Sequence, residues 1–217
     1  MKCQRDNRRR SGFTIVELAL AMGVLGLALG LAGMVTRTGS AAYRASEAGR
    51  QVEQNVHRAL DLAIKELEAT GADYLDPVLS LPEQFSKSLE YQHLLLQGSN
   101  AVVGPPSRLS LEYETGEIND GIDNNGNGLV DEGILVLVRN VGLTSQQRVV
   151  LCHGVRELLE GEVFNGTDDN GNGLNDEPGF FIQRTGSVLT IRLSVEGLGP
   201  LGQVLVRTAE SSVRMEN

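Results

Sequence analysis

The feature that most constrains this chain is an apolar run over residues 13–35 that holds a single charged residue, Glu17. As a helix, a run of this length would extend about 34 Å, enough to cross the hydrocarbon core of a bilayer with some tilt. Three arginines at positions 8–10 precede it, and a cationic flank stays on the cytoplasmic side of a membrane segment. The run therefore predicts one membrane-spanning helix with a cytoplasmic N-terminus and an exported remainder.

The carboxylate of Glu17 argues against two simple interpretations of this run. The run could be the core of a cleaved secretory signal peptide, with small residues for cleavage over residues 38–46, or it could be a plain uncleaved anchor. Both leave an acidic side chain in lipid, which costs about 2.5–3.5 kcal/mol at the centre of a spanning helix and less near its end. Since the run contains no basic residue, a neutralising partner must come from another subunit or from an amine made by cleaving the chain.

The junction before the run resembles a known processing signal. The letters G-F-T-I-V-E over residues 12–17, after a short basic leader and before an apolar run, resemble the class III signal of type IV prepilins and type II secretion pseudopilins. The resemblance implies that prepilin peptidase cuts after Gly12, removes the leader of residues 1–12, and N-methylates Phe13. It also implies that Glu17 pairs with the terminal amine of a neighbouring subunit during assembly.

Two helical segments are predicted after the leader. Residues 13–36 form the transmembrane and filament-core helix that the resemblance implies. Apolar residues recur every three or four positions over residues 41–70, which predicts an amphipathic helix with one apolar face. Together the two segments make one long N-terminal helix whose exported half packs on the following domain. His57 lies off the apolar face and is predicted to be exposed to solvent.

Residues 71–217 are predicted to form a β-rich domain, which the resemblance places in the periplasm. Six segments read as half-buried antiparallel strands, several of them by alternation of apolar and polar residues: 108–114, 133–140, 147–155, 179–184, 187–195 and 202–215. Residues 104–106, Gly-Pro-Pro, are predicted to form a turn. The chain is therefore predicted to be α+β, with a long helix packed on an antiparallel sheet in a pilin-like fold. The order of the strands also resembles that of the J-type minor pseudopilins and the related W-type minor pilins. The H-type, I-type and K-type pseudopilins are the alternatives.

Two acidic loops within this domain repeat at an offset of 45 residues. DGIDNNGNGLVDE occupies residues 120–132 and NGTDDNGNGLNDE occupies residues 165–177, with nine of thirteen positions identical. Each is predicted to interrupt a β-hairpin. Oxygen donors at alternate positions followed by Gly are typical of a Ca²⁺ loop, because the chain must curl sharply around the ion. The candidate ligands are Asp123, Asn125, Asn127, Leu129 through its carbonyl, Asp131, Glu132, and their counterparts Asp168, Asn170, Asn172, Leu174, Asp176 and Glu177.

The loops depart from the EF-hand where that motif has a bidentate glutamate. Ile134 and Gly179 stand at the equivalent positions, and Glu132 and Glu177, two places earlier, are predicted to compensate. With several neutral Asn ligands, we expect a dissociation constant of about 10⁻⁴–10⁻³ M. The alternative is that the Asn-Gly and Asp-Gly pairs simply form turns without a metal. Because the loop occurs twice with its carboxylates at equivalent positions, we favour Ca²⁺ binding over turns without a metal.

The remaining residues exclude several classes of function. Cys152 is the only cysteine outside the leader, so the mature chain cannot form an internal disulfide, and Cys152 is predicted to be a buried apolar group. Its neighbour His153 should point to the opposite face of the strand, so the two do not form a catalytic pair. No nucleotide-binding, serine-hydrolase or zinc-protease motif is present, and we expect no enzymatic activity. A net charge of −9 makes nucleic acid a poor candidate partner.

The resemblance therefore implies a structural minor pseudopilin of a type II secretion-like pseudopilus. Its partners would be other pseudopilins, prepilin peptidase and the inner membrane, which it would cross once before it joins the pseudopilus. A minor type IV pilin or a Ca²⁺-dependent pilus-tip adhesin is the alternative that the same signal allows.

Overall fold

A computed structural model describes residues 14–68, 70–77, 79, 85–97 and 100–215. Within these ranges the chain forms one α-helix followed by nine β-strands, in the order α1 (Ile15–Leu67), β1 (Thr70–Asp76), β2 (Phe85–Ser86), β3 (Ser88–Gln97), β4 (Asn100–Tyr113), β5 (Gly133–Arg139), β6 (Gln147–Val155), β7 (Phe180–Thr185), β8 (Val188–Leu198) and β9 (Val204–Arg214). The chain divides into two compact units, Met1–Arg44 and Ala45–Asn217. The prediction of a long N-terminal helix followed by an antiparallel β-sheet domain is confirmed.

Helix α1 continues without interruption through the polar stretch that follows the apolar run. The hydroxyls of Thr36 and Thr38 donate to the backbone carbonyls four residues earlier, at 2.9 and 3.0 Å. The hydroxyl of Ser40 donates to the carbonyl of Arg37 at 2.9 Å. These side chains are bonded within the helix and do not compete with it for backbone groups. The stretch contains no proline, and its single glycine, Gly39, does not interrupt the helix, which extends to Leu67.

The C-terminal part of α1 belongs to the second unit and packs on the sheet. Its buried residues recur every three or four positions: Gly49, Val52, Val56, Ala59, Leu60, Ala63 and Leu67. All except Gly49 belong to the main hydrophobic core, together with strand residues such as Leu89, Leu109, Leu137 and Ile191. His57 is exposed, as predicted. The amphipathic pattern therefore defines the face on which the domain is built.

Three side chains from the sheet contact Glu66 near the end of α1. Tyr91 donates its hydroxyl to the Glu66 carboxylate at 3.3 Å, and the guanidinium of Arg139 forms an ion pair with it. The ring of His93 bonds the Glu66 backbone carbonyl at 2.6 Å. Burial, and then the charge of Glu66, raise the pKa of Tyr91, so its phenol remains protonated and continues to donate. Strands β3 and β5 thereby hold the C-terminal end of the helix.

All described strand pairs are antiparallel, in the order β1-β3-β4-β5-β6-β8-β7-β2, with β9 also paired to β8. Strand β9 follows one edge of β8 from Val188 to Leu198. The opposite edge pairs with β7 and, at Val195, with Val155 of β6. The six predicted strand segments are confirmed as β4 to β9, with β4 beginning earlier than predicted.

Two local predictions are wrong. Residues 104–106 do not form a turn but lie inside β4, where Pro106 is opposite Gln92. The register of β3 against β4 shifts between Gln92 and Leu94, and such an irregularity accommodates proline, which has no N–H to donate to the ladder. The second acidic loop does not interrupt a hairpin either. It joins β6 to β7, which share one edge of β8 and do not pair with each other.

Candidate processing site and acidic loops

The two acidic loops have matching backbone conformations. The first joins β4 to β5 and the second joins β6 to β7. Asp131 and Asp176, at equivalent positions, have φ angles of 54° and 52°, a region that non-glycine residues seldom occupy. The equivalent glycines also agree, with 90° at Gly128 and 89° at Gly173. The duplication is therefore present in the structure as well as in the sequence.

Both loops also line one cavity of about 520 Å³, through Asp131 and Asp176.

Asp123 and Asp168 curl their loops around their own carboxylates. Asp123 Oδ1 accepts the N–H groups of Gly126 and Asn127 at 2.6 and 3.2 Å. Its Oδ2 accepts the N–H of Gly128 at 2.8 Å. Asp168 makes the same three bonds in its own loop at 2.6, 3.1 and 2.8 Å. These donors hold the pKa of Asp168 below its ordinary value; in order of their effect they are Gly173, Gly171 and Asn172.

Asp131 and Asp176 fasten the entry to each loop. The two carboxylate oxygens of Asp131 accept the backbone N–H groups of residues 120 and 121 at 3.1 and 2.8 Å. Those of Asp176 accept the N–H groups of residues 165 and 166, both at 2.8 Å. Each of these carboxylates therefore closes its loop by bonding the backbone ten and eleven residues earlier.

Glu132 and Glu177 are completely buried beneath their loops. Glu132 Oε1 accepts the side-chain amides of Asn125 and Asn127 at 2.8 and 2.5 Å. Glu177 Oε1 accepts the side-chain amide of Asn172. In both residues the second carboxylate oxygen, Oε2, is buried and has no hydrogen-bond partner. The two glutamates therefore face the loop interior and carry buried charge that is only partly compensated.

A second buried glutamate under each loop is absent from the sequence-based ligand set. Glu117 and Glu162 are each 5% exposed and accept the backbone N–H of the residue eight positions later, at 2.7 and 3.0 Å. They stand 45 residues apart and both follow a glycine, so the repeat extends upstream of the acidic loops. We call residues 116–132 the first repeat and residues 161–177 the second repeat. Applying the same 45-residue offset to the positions three residues before each acidic loop would have found these glutamates.

The possible metal ligands in these loops are carboxylate, amide and main-chain oxygen atoms. No group of three or more His, Cys, Asp or Glu side chains that could hold a metal ion occurs among the residues the structure describes. A cation in either loop would therefore need amide and main-chain oxygens besides carboxylates. The loop asparagines provide such oxygens, although they now accept backbone bonds: Asn127 N–H donates to Asn125 Oδ1 at 2.9 Å, and Leu129 N–H donates to Asn127 Oδ1 at 2.8 Å.

The processing junction itself lies outside the described residues, since these begin at Thr14 and the predicted cleavage is between Gly12 and Phe13. The adjacent helix start is described, and it is a capping box. Thr14 Oγ1 accepts the N–H of Glu17 at 3.2 Å, while Glu17 Oε2 accepts the N–H of Thr14 at 2.9 Å. Reciprocal bonds of this kind satisfy two backbone donors at a helix N-terminus. Glu17 therefore caps α1 in the single chain.

Among the residues that the structure describes, the apolar surface of the N-terminal part of α1 is exposed. Every residue from Thr14 to Ser46 is exposed, including Leu18, Leu25 and Leu31 at more than half of their full accessible area. Gly23, Gly26, Gly30 and Gly33 have open space where a Cβ would stand. In the described chain, α1 alone is long and apolar enough to cross a membrane. Its first half is thus a surface for lipid or for other helices.

Residues 7–33 match the prokaryotic N-terminal methylation motif. This is the motif of type IV prepilin-like proteins, and it implies a pilin-like protein that is processed at its N-terminus and has a structural rather than an enzymatic role. No curated protein matches the chain, and no solved structure does. The motif covers part of the leader, the junction and most of the apolar run. The two repeats of the β domain lie outside it.

Sequence reasoning located the motif but missed one local feature of it. The T-x-x-E spacing of Thr14 and Glu17 directly precedes an apolar helix, which is the sequence pattern of a capping box. The docking role of Glu17 stays a prediction, as do the cleavage after Gly12 and the methylation of Phe13. In the β domain, Cys152 is buried and His153 is exposed, as predicted, and His153 bonds Glu114 at 2.8 Å.

Proposed function

We propose that the chain is a minor pseudopilin of a type II secretion-like pseudopilus, cleaved after Gly12 and assembled through the first half of α1. The observation that carries the proposal is the methylation motif joined to an exposed apolar helix whose only charge up to Val35 is at its first turn. The arginines of the leader hold the junction on the cytoplasmic side, where the inner-membrane peptidase would act. The β domain then lies in the periplasm.

The capping box supports a two-stage role for Glu17. In the unassembled subunit, its carboxylate accepts bonds from the backbone and hydroxyl of Thr14, at 2.9 and 3.0 Å, which offsets part of the cost of a charge at the membrane. Cleavage creates a positively charged amine at Phe13. An amine donates a charge-assisted hydrogen bond, which is stronger than a neutral one. A neighbouring subunit's amine can therefore compete for the Glu17 carboxylate and draw two helices together.

The glycines of α1 support close packing of the assembled helices. Gly26 and Gly30 form a G-x-x-x-G, and Gly23 and Gly33 lie three residues before and after this pair. All four have free space beside them in the single chain. Small residues in this arrangement let helix backbones approach closely, and van der Waals contact then replaces contact with lipid. The partners in the proposal are accordingly other pseudopilins, which contact the chain along this helix.

The strand order of the β domain supports a J-type subunit within this class. A minor type IV pilin or a pilus-tip adhesin would carry the same N-terminal motif, and the β domain would then face a surface outside the cell.

Deletion of the coding sequence distinguishes these roles. The proposal expects folded enzymes to be lost from the culture medium, with recovery by the wild-type chain and not by the Glu17→Gln chain. Loss of twitching or surface adhesion with normal export would instead assign the chain to a pilus. If export, twitching and adhesion were all unchanged, the assembly role would be contradicted.

A further inference from the structure

We propose that each repeat binds one Ca²⁺ ion through a pair of buried glutamates, Glu117 with Glu132 in the first repeat and Glu162 with Glu177 in the second. The oxygens of the loop asparagines and of the loop backbone complete the two sites. The proposal is independent of whether the chain serves secretion or a pilus.

Unpartnered buried oxygens carry the inference. Oε2 of Glu117, Glu132 and Glu177 accepts no hydrogen bond, and each of these residues is at least nine-tenths buried. Glu162 differs, because its Oε2 accepts the N–H of Asp176 at 3.2 Å. A carboxylate removed from water is unfavourable unless a cation or hydrogen-bond donors compensate it. In the part of the chain that the structure describes, no Lys, Arg or His forms an ion pair with any of the four glutamates. A bound cation would provide the missing compensation.

The buried glutamate side chains point toward the loop residues, as Glu132 shows. The oxygen of Glu132 that does have partners, Oε1, bonds the side-chain amides of Asn125 and Asn127, which are two of the residues that a Ca²⁺ loop uses as ligands. Rotation of an asparagine about its last torsion exchanges its amide nitrogen for its amide oxygen. A cation that enters between Glu132 and the asparagines would therefore replace these hydrogen bonds with metal–oxygen contacts. The rotated asparagines would also release the backbone N–H groups of Asn127 and Leu129, which their oxygens now accept. Asn170, in the second repeat, has a buried amide nitrogen without a partner, while its amide oxygen accepts the N–H of Asn172 at 3.0 Å.

The chemistry of the donors favours Ca²⁺ among common metals. Each repeat contains five acidic residues, no basic residue, and neither Cys nor His, so the donors are hard oxygens and do not suit Zn²⁺. Ca²⁺ accepts six to eight oxygens in flexible arrangements, whereas Mg²⁺ requires a nearly ideal octahedron and retains water. A curled loop with mixed carboxylate, amide and carbonyl oxygens fits the first description.

Binding should be coupled to the stability of the domain. The leucine that follows Gly128 or Gly173 is buried in each repeat: Leu129 is 8% exposed, and Leu174, also 8% exposed, packs with Leu159 and Phe181. A cation that orders either loop therefore also holds an apolar side chain in the domain. Since the unfolded chain lacks the assembled ligands, Ca²⁺ should raise the melting temperature.

Calcium titration of the full chain tests the proposal. The chain, extracted in detergent and stripped with chelator, is titrated with CaCl₂ by calorimetry, and the number of bound ions is read by native mass spectrometry. We expect two Ca²⁺ per wild-type chain, one in Glu132→Gln or Glu177→Gln, and none in the double variant. The matched controls are Asp120→Asn and Asp169→Asn, which remove an exposed charge and introduce the residue that the other repeat has there. Both controls should retain two ions.

A second readout separates a metal site from a purely structural role of the glutamates. Without Ca²⁺, Glu132→Gln removes a buried charge and keeps the shape of the side chain, so its melting temperature should equal or exceed that of the chelated wild type. A structural carboxylate would give a lower one and would contradict the proposal. So would fewer than two ions bound to the wild type, or an equal rise in melting temperature with MgCl₂. If a glutamine variant fails to fold, the wild-type stoichiometry still decides.

Discussion

The two halves of helix α1 share one backbone conformation and differ in what they contact. From Ile15 to Ser46 every residue is exposed, whereas from Gly49 to Leu67 a stripe of small and aliphatic residues is buried against the sheet. The first half is apolar all round up to Val35, and the second is apolar on one face only. A helix that is apolar all round is stable only inside lipid or among other helices. Among the described residues, the second half is therefore packed in the domain core, whereas the first half exposes an apolar surface that suits lipid or other helices.

The two halves of α1 also differ in the number of their charged residues and in what those residues contact. Glu17 is the only charged residue of α1 before Arg37, and its bonds are to Thr14 of the same helix start. In the second half, charges of both signs lie on the exposed face, as in the ion pair of Glu47 with Arg50 at 2.7 Å. An exposed pair of this kind contributes little to stability. Glu17 is therefore the one charge of the helix to which the proposed function assigns a later partner.

The largest expected effect is on the stability of the domain. Leu60→Ala removes a side chain that is 2% exposed in the main core, and we expect it to lower the free energy of unfolding by about 2–5 kcal/mol. Leu25→Ala makes the same chemical change at a position that is 59% exposed, and we expect a change within about 0.5 kcal/mol. Urea denaturation of both full chains in detergent measures the difference. Equal losses would mean that the two halves contribute alike to the fold.

The next effect concerns assembly. Glu17→Gln removes the charge but keeps the capping box, which accepts glutamine as well as glutamate at this position. A hydrogen bond to a charged group contributes about 1.5–3 kcal/mol, so we expect roughly a tenfold or greater loss of cross-linked subunits in membranes. Cleavage and domain stability should not change. Glu47→Gln is the matched control in the second half and should assemble normally. Normal assembly of Glu17→Gln would reduce the role of Glu17 to capping alone.

The smallest expected effect concerns cysteine reactivity. Burial raises the pKa of Cys152 to about 12, so at pH 8 its thiol is almost entirely protonated and inert. The proposed cleavage after Gly12 would remove Cys3 with the leader. The folded, processed chain should therefore take up no alkylating reagent within minutes, and the unfolded chain should take up one equivalent, as read by mass. Rapid labelling of the folded processed chain would show that the sheet opens at Cys152.

Patterns that depend on neighbours along the chain were predictable from the sequence. Strand β8 follows from alternation in V-L-T-I-R-L-S-V, and the buried face of α1 follows from residues spaced by three or four. The partner of a strand depends instead on distant residues, which is why β6 and β7 were wrongly expected to pair across the second acidic loop. Residues 104–106 have strong turn composition, yet the irregular register of β3 and β4 accommodates them in a strand.

At the candidate sites too, residues within a local motif were predictable and residues brought together by folding were not. Asp123 and Asp168 are recognisable because the loop motif is local, and the structure places their carboxylates where the chain curls. Glu117 and Glu162 lie outside that motif, and only folding brings them beneath the loops. Burial of a charged side chain is a property of the folded domain, so composition alone could not distinguish these two glutamates from the exposed Asp120 and Asp169.

The measurement that tests the central claim most directly is the intact mass of the chain extracted from membranes of its host. The claim is that the first half of α1 becomes a docking surface when cleavage after Gly12 frees an amine for Glu17. The account predicts a chain that begins at Phe13 and carries one added methyl group. A chain that begins at Met1, or one that begins after residue 40, would contradict it.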